Sequence, residues 1–473
     1  PQESSASHSP LLAQLRPPLH EFESPDPPLS ESFFNLGCNL LDSRASVFTP
    51  TMASSISMRS LLFLAFILAS AHAFAPTTPL TLRSASARSF TAPVRPSLAT
   101  ARSPLIPRQR PLGLNLQMVS LPKDTPLKVG ICGATGAVGQ EIVGVLEKRG
   151  FPVKELHLFG SARSAGKKVE TKWGSVEIEE FSVEKARGMD VVFVSVSGDF
   201  SKEFCEAMAE GDDGAVVIDN SSAFRYVDGI ALCVPEINAD AARKGKKKVI
   251  ANPNCTTAIG IMALYPLHKK YGLKKVLMST YQAASGAGAP GMDELKNGAR
   301  EVANGPEGTV AKNEIFAHPL PFNIIPHIDV FQDNLYTKEE MKVTWECQKI
   351  MELPNLPVSC TAVRIPTLRA HAETIVIETE KKINPDEARE LLANSAGVQV
   401  MDSPSEKLYP MPMTASTKYA IEVGRIRQSV VFGENGLEFF VCGDQLLRGA
   451  ALNAVLVAES LMDPEGTPFT PTM

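Results

Sequence analysis

A cysteine follows directly on the turn residues Asn252-Pro253-Asn254 and precedes Thr256-Thr257, between the β-prone run Lys248-Val249-Ile250-Ala251 and an apolar helical pattern through Ile259 to Leu264. This spacing puts Cys255 at a helix N-terminus. There the unpaired N–H groups and the helix dipole favour a thiolate, the form that attacks carbonyl carbon. Position alone fits a buried structural cysteine equally well. What tilts the balance is the company it keeps. A nucleophilic thiol needs an acid–base partner, and the connection from Arg364 to Glu373 holds His371 together with two arginines. Gln282 ends the strand-like run from Lys275 to Tyr281 and opens a small-residue loop to Gly291, where it can orient a neighbour. Arg225, at the end of Asp219 to Arg225, is a candidate anion clamp, though any single arginine can be a surface residue. Glu339 and Lys342 share one face of a helical pattern at i,i+3, and without other context they read as a solvated ion pair.

These residues need a scaffold, and the first part of the chain spells one. The strand-like run Leu127 to Cys132 leads into Gly133-Ala134-Thr135-Gly136-Ala137-Val138-Gly139, and a helical period follows through Leu146. Glycines at this strand-to-helix junction allow a tight turn and let backbone N–H groups approach a pyrophosphate. A turn with only a packing role is the competing reading. The following strand, Glu155 to Phe159, ends at Ser161-Ala162-Arg163-Ser164, where hydroxyls and a guanidinium stand in place of the acidic residue that an NAD ribose requires; the loop therefore favours NADP. Lys167 and Lys168 read equally as a solvated basic loop. Strands at Asp190 to Val196 and Ala215 to Asp219, with a helix from Phe200 to Glu210, extend a Rossmann-type doubly wound parallel α/β sheet. In such a sheet the ligand lies beyond the carboxyl ends of the strands, where Arg225 and Cys255 fall. From Lys274 onward, β-branched and alternating segments at Lys275–Tyr281, Cys360–Arg364 and Ala372–Glu378 indicate a second, α+β domain. Asp444 to Glu459 reads as an amphipathic helix packing back on the first domain.

Composition excludes several classes. The 473 residues carry a net charge of −5, 44% hydrophobic and 21% charged residues, so no electrostatic footprint for nucleic acid is present. Eight cysteines without Cys-x-x-Cys spacing indicate neither a metal site nor a disulfide framework. Residues 1–51 contain no methionine and are rich in Pro and Ser; Met52 is the expected translation start, and 1–51 are expected to be upstream sequence without a fold. From Met52, an apolar run Leu61–Ala69 precedes the Ala71-His72-Ala73 pattern of a signal-peptidase site and is too short to span a membrane in the mature protein. The Ser/Arg/Pro-rich, acid-free stretch after Phe74-Ala75-Pro76 reads as a transit peptide. The pair resembles the two-part presequences of algae with secondary plastids, so 52–125 are expected to be a disordered presequence and the plastid stroma the destination, with plain secretion as the competing reading. The expected units are then 126–255 for the NADP-binding domain, completed by a C-terminal helix at 443–462, and 256–442 for the catalytic and dimerisation domain.

Taken in order, Gly133 to Gly139, Asp219 to Arg225, Asn252 to Thr257, Gln282 to Gly291 and Arg364 to Glu373 closely resemble the aspartate-semialdehyde dehydrogenase family, over about residues 127–462. The resemblance implies NADPH-dependent reductive dephosphorylation of L-aspartyl 4-phosphate to L-aspartate 4-semialdehyde through a cysteine thioester, with inorganic phosphate as partner, on the route to lysine, threonine, methionine and isoleucine. It implies Cys255 as nucleophile, His371 as general acid/base and Gln282 as the residue orienting the intermediate. Arg364 resembles the substrate-carboxylate ligand, Glu339 the amino-group ligand, and Arg225, Asn254 and Lys342 the phosphate-binding set; the adjacent Glu340 leaves the Glu339 register open by one. For the coenzyme it implies Gly133, Thr135, Gly136, Ala137, Val138, Gly139, Ser161, Arg163, Ser164, Ser195, Ser285, Gly286 and, near the nicotinamide, Asn453. No metal is expected, and a homodimer or homotetramer is. Reduction of another activated acyl group, N-acetylglutamyl phosphate or a malonyl thioester, and a non-catalytic NADP-binding relative are the alternatives.

Overall fold

The computed structural model of the chain describes residues 118–463. The expectations for 1–51 and for the presequence up to residue 117 lie outside the described residues. Residues 118–121, expected to be disordered, pack on the fold: Val119 and Leu121 are buried, and their N–H groups donate to Arg243 O at 2.9 Å and Leu461 O at 2.9 Å. Two apolar side chains at i,i+2 turn to one side of an extended segment, and that side meets the core.

The first half alternates strand and helix. In order come β1 (Leu127–Cys132), α1 (Ala137–Arg149), β2 (Val153–Gly160), β3 (Lys168–Thr171), β4 (Gly174–Glu180), α2 (Val183–Arg187), β5 (Val191–Val194), α3 (Gly198–Ala209), β6 (Val216–Asp219), β7 (Ala231–Leu232), α4 (Pro235–Arg243) and β8 (Val249–Ala251). They form one sheet ordered β3-β4-β2-β1-β5-β6-β8-β7. Every pairing in it is parallel except β3 with β4. β5, β6 and β8 are buried on both faces, as their unbroken Val/Ile runs require when helices cover both sides of a parallel sheet.

The helix α5 (Cys255–Tyr271) leads into β9 (Leu273–Gln282), α6 (Gly288–Asn304), α7 (Lys338–Ile350), β10 (Val358–Arg364), β11 (His371–Thr379), α8 (Pro385–Ala393), β12 (Val398–Val400), α9 (Pro412–Ala415), β13 (Ile421–Ser429) and β14 (Gly433–Gly443). Their sheet runs β10-β9-β11-β14-β13-β12, with β9/β10 and β12/β13 parallel and the rest antiparallel. The chain then returns to the first sheet through α10 (Leu452–Ser460).

That last helix differs from the sequence expectation. It is preceded by a π-helical turn, Leu447–Ala451, and is buried on nearly all sides within the core around β1, α1 and β5, so it is not amphipathic. The run Leu452-Asn453-Ala454-Val455-Leu456-Val457-Ala458 has little polar face to offer water, and a helix apolar all round is a buried one.

Candidate active site

The turn after β8 is fixed by its own side chains. Asn254 is the N-cap of α5, and its Oδ1 accepts from the N–H groups of Thr256 at 2.9 Å and Thr257 at 3.3 Å. Cys255 is the first helical residue and keeps partial exposure. The π-turn packs directly on it: a Cβ at Gly449 would lie 2.6 Å from Cys255 Cβ, so only glycine lets the two backbones meet. Burial pushes the thiol up to about 12, and Glu339 adds to the rise against the opposing pull of Arg225, Arg364 and a contact with Thr256. The expected resting thiolate is therefore corrected. A helix terminus favours the anion, but removal of water around the sulfur costs the anion more.

Facing the thiol, α7 carries a ladder of carboxylates. Its start is a capping box in which Thr337 and Glu340 satisfy each other's backbone N–H, and Glu340 also accepts from Ala362 N at 2.9 Å. Glu340 is thereby spent on structure, and of the two neighbours it is Glu339 that bonds to Asn254 and Gln282. Glu339 Oε1 accepts from Asn254 Nδ2 at 3.0 Å and Gln282 Nε2 at 3.2 Å, and Oε2 meets Lys342 Nζ at 2.9 Å. Burial alone would raise this carboxyl; Lys342 and the three hydrogen bonds outweigh burial and bring it to about 2. Lys342 also pairs with Asp329 at 2.7 Å. One turn on, the fully buried Glu346 accepts from Arg225 Nη1 at 3.0 Å, Tyr226 OH at 3.0 Å and the backbone N–H of Asn254 at 2.6 Å. Arg225 completes its grip with Nε to Asn252 O at 2.8 Å and Nη2 to Asn220 O at 3.0 Å.

The second sheet supplies the remaining groups. Parallel pairing of β9 and β10 brings Gln282 opposite Arg364. Arg364 Nη1 donates to Ala283 O at 2.7 Å, and Ala283 N–H donates to His371 Nδ1 at 3.1 Å. That second bond fixes the neutral imidazole with its proton on Nε2. Burial first, then the charge of Arg364, holds His371 down at about 3, so the ring is uncharged at physiological pH. Nε2 has no partner among the described residues and is available to a ligand. Gly286 keeps the space before these groups open: a Cβ there would sit 2.8 Å from Arg364 Nη1 and 3.5 Å from His371 Nε2. Ser285 is buried beside it and takes a short hydrogen bond from Gln445 Nε2.

Across the cleft, the Gly-rich turn is shaped as a phosphate cradle. Gly133 adopts φ +85°, and a Cβ on it would come within 2.4 Å of Ser195 O; one on Gly139 would come within 2.3 Å of Gly133 O. Gly136 is the N-cap of α1 and brings no side-chain cap, so the first-turn N–H groups of Ala137 and Val138 have no side-chain acceptor there, and Thr135 is exposed beside them. These residues fit a dinucleotide pyrophosphate. Ser161 and Arg163 are exposed at the end of β2, Ser164 is buried beneath them, and Ser195 Oγ donates to Cys132 O at 3.1 Å. Asn453, expected near the nicotinamide, has a structural task, while its Oδ1 has no partner among the described residues. It is fully buried, and its amide donates to Cys233 O at 2.9 Å and Asn252 Oδ1 at 2.7 Å, using both N–H groups.

Four residues of this assembly escape the sequence reading. Glu346 could have been found from its place i+7 from Glu339 and i+4 from Lys342, on one helical face. Asp329, Gln445 and Gly449 carry no local signal; they matter only because loops and the π-turn bring them to the site.

A dinucleotide cradle on one sheet, together with a cysteine at a helix start, a neutral imidazole and buried arginines, fits a two-domain dehydrogenase with a cysteine at its centre. Known proteins agree. A family model for the semialdehyde dehydrogenase NAD-binding domain matches residues 128–245, and one for the semialdehyde dehydrogenase dimerisation domain matches 264–448. Aspartate-semialdehyde dehydrogenase of Aquifex aeolicus is 46% identical over 337 residues, covering 71% of this chain and 98% of the relative. That of Synechocystis is 42% identical over 339 residues, covering 72% and 98%. The crystal structure of Vibrio cholerae aspartate-semialdehyde dehydrogenase II complexed with ASA superposes with a TM-score of 0.68 at 37% identity, over 71% of this chain and 98% of that one. The chain belongs to the aspartate-semialdehyde dehydrogenase family.

Proposed function

We propose that the protein reduces L-aspartyl 4-phosphate to L-aspartate 4-semialdehyde with release of phosphate, and that it uses NADPH. The observation that carries this reading is the convergence of Cys255, the free Nε2–H of His371 and the guanidinium groups of Arg225 and Arg364 on one cleft, the set an activated, anionic acyl substrate needs. Cys255 sulfur attacks the acyl carbon, a C–S bond forms, and the C–O bond to phosphate breaks. Phosphate leaves with the electron pair and takes up the thiol proton. The His371 Nε2–H donates a hydrogen bond to the carbonyl oxygen where negative charge develops, in a site with little water, where such a donor acts at full strength. In this tautomer the ring serves the donor half of an acid–base role. The Gly133–Gly139 turn would hold the coenzyme, which would supply hydride chemistry at the thioester carbon. Expulsion of the Cys255 thiolate would then release the aldehyde, and uptake of one proton would restore the thiol. Glu339, held ionised, is suited to the substrate ammonium group, and Arg364 to its carboxylate.

NADPH is favoured by Arg163, exposed and without an ion-pair partner among the described residues, beside the Ser161 hydroxyl at the end of β2. A homodimer is favoured by the exposed apolar side chains Phe322, Phe331 and Leu335 in the connection before α7, within the part of the chain matched by the dimerisation-domain model. The plastid stroma follows from the presequence reading; a reporter fused to residues 52–125 that stays cytosolic in an alga with secondary plastids overturns it. The test of the activity is a steady-state assay of the purified protein against aspartate semialdehyde, N-acetylglutamate semialdehyde and malonate semialdehyde, with NADP and NAD. Phosphate-dependent reduction of NADP with aspartate semialdehyde is expected. Turnover confined to another semialdehyde, or none, rejects the reading.

A further inference from the structure

The connection between β10 and β11 delivers His371, and it is held on three sides. Along one edge, Ala284 N–H donates to Thr367 O at 2.8 Å and Ser285 N–H to Leu368 O at 3.2 Å. At its end, Ala370 adopts φ +66°, a left-handed conformation that costs a non-glycine residue and persists only when neighbours impose it. The neighbour is Gln445, whose Oε1 accepts from Ala370 N–H at 2.7 Å. Between these, Arg369 reaches out of the loop. Its Nε meets Asp444 Oδ2 at 2.5 Å and its Nη1 meets Glu141 Oε1 at 2.6 Å.

Those two carboxylates belong to elements with distinct duties. Asp444 is fully buried and also accepts from the N–H groups of Thr417 at 2.6 Å, Leu446 at 3.0 Å and Leu447 at 3.3 Å, so it anchors the approach to the π-turn that packs on Cys255. Glu141 lies in the second turn of α1, the helix whose N-terminus forms the dinucleotide cradle. One guanidinium thus joins the coenzyme helix, the turn behind the thiol and the residue two before the imidazole. A planar fork with several donors can hold two carboxylates at fixed angles, which an ammonium group cannot. Burial works against the charge on Arg369, and the two close acids, Glu141 and Asp444, outweigh it and hold the guanidinium above its ordinary value.

We propose that Arg369 is a positioning residue, which sets the placement of His371 against the thiol and ties that placement, through Glu141, to the helix that receives the coenzyme. The proposal rests on the activity proposed above. A bridge of this kind affects the rate of the chemical step more than it affects the binding of either ligand, because its removal leaves both binding surfaces intact and loosens only their mutual register.

The test uses Glu141→Gln, Arg369→Lys, Arg369→Gln and the double variant Glu141→Gln/Arg369→Gln in the full-length protein. Glu141 is partly exposed, so its variant retains the fold even if Arg369→Gln, which strips Asp444 of its cation, lowers stability. For Glu141→Gln the expected result is a loss of about tenfold in kcat, with KM for aspartate semialdehyde and the NADPH Kd, read by coenzyme fluorescence, within about threefold of wild type. Arg369→Lys should fall between wild type and Arg369→Gln. The double variant should match Arg369→Gln, since a pair that acts as a unit is lost once. Glu141→Gln with wild-type kcat overturns the proposal, and so does a tenfold loss of NADPH affinity with kcat unchanged, which would make the pair a prop for α1 alone. If the wild type itself does not turn over aspartate semialdehyde, the proposed activity fails, and the fluorescence titration still reports whether the pair supports coenzyme binding.

Discussion

Along the coenzyme wall of the cleft the donors are uncommitted: Gly136 brings α1 no side-chain cap, Thr135 is exposed, and Arg163 pairs with no acid among the described residues. Across the cleft the charged groups already have partners. Arg225 is locked to Glu346, Lys342 to Glu339 and Asp329, Arg364 to the Ala283 carbonyl, and Glu339 collects three donors. The difference teaches how the two walls meet anions. An open helix terminus needs no internal partner, since water satisfies it until a pyrophosphate arrives. Buried arginines have no water and must be neutralised from within, which fixes their geometry in advance of the substrate. The thiol on this wall stays protonated chiefly because it is buried. Glu339 adds to the rise, and the pull of Arg225 and Arg364 does not overcome the two.

The comparison can be broken in order of severity. Cys255→Ser should lower kcat by on the order of a thousandfold or more, because no other group can carry the acyl intermediate; single-turnover and steady-state rates would show it, and a loss under tenfold would remove the thiol from the mechanism. Glu339→Gln should reduce kcat/KM by about a hundredfold, since the neutral amide loses the charge suited to the substrate ammonium group and leaves Lys342 with Asp329 as its remaining carboxylate. Arg163→Ala strikes the open wall, and there the effect should be confined to binding: KM for NADPH rises about tenfold while kcat and KM for NADH stay near wild type. Equal effects on both coenzymes would detach Arg163 from the 2′-phosphate.

A fourth prediction concerns the second buried acid. Glu373 lies on β11 two residues past His371, fully buried, with neither oxygen hydrogen-bonded among the described residues, and burial raises its carboxyl well above the ordinary 4.5. It is therefore uncharged where Glu339 is ionised. Its sign is opposite as well. Glu373 contributes stability in full below the unfolded carboxyl value and loses it as pH rises. Glu339, brought to about 2, and His371, held at about 3, contribute stability that falls away as pH drops below their unfolded values of 4.5 and 6.5. Glu373→Met should stabilise the fold at pH 8 by about 1–3 kcal/mol in denaturant titration, with the gain shrinking toward pH 5. A destabilised variant at pH 8 would mean the carboxyl has a partner there.

The two walls also differ in how far they can be read from the sequence. The coenzyme cradle is contiguous, so the strand, the glycines and the helix of residues 127–149 announce it together. The thiol wall is drawn from several separate segments. Cys255, His371, Arg364 and Gln282 were legible because each ends or begins an element, which is where ligand-facing residues fall in such sheets. Glu346 was not, because a glutamate in mid-helix looks like any solvated one until Arg225 is seen buried beside it. The structural bonds of Asn453 were not legible either, because its donation to Cys233 O and Asn252 Oδ1 leaves no local trace. The ionisation of Cys255 was misjudged for a related reason: helix position is written locally, whereas burial and the charge of Glu339 come from residues far along the chain.

The most direct test of the whole account is to mix the enzyme with aspartate semialdehyde and NADP in the absence of phosphate and to follow both NADPH absorbance and the mass of the Cys255 peptide. The account predicts a stoichiometric burst of NADPH, an aspartyl adduct on Cys255 alone, and resumed turnover with loss of the adduct when phosphate is added. NADPH formation without an adduct on Cys255, or the same burst from Cys255→Ser, would contradict it.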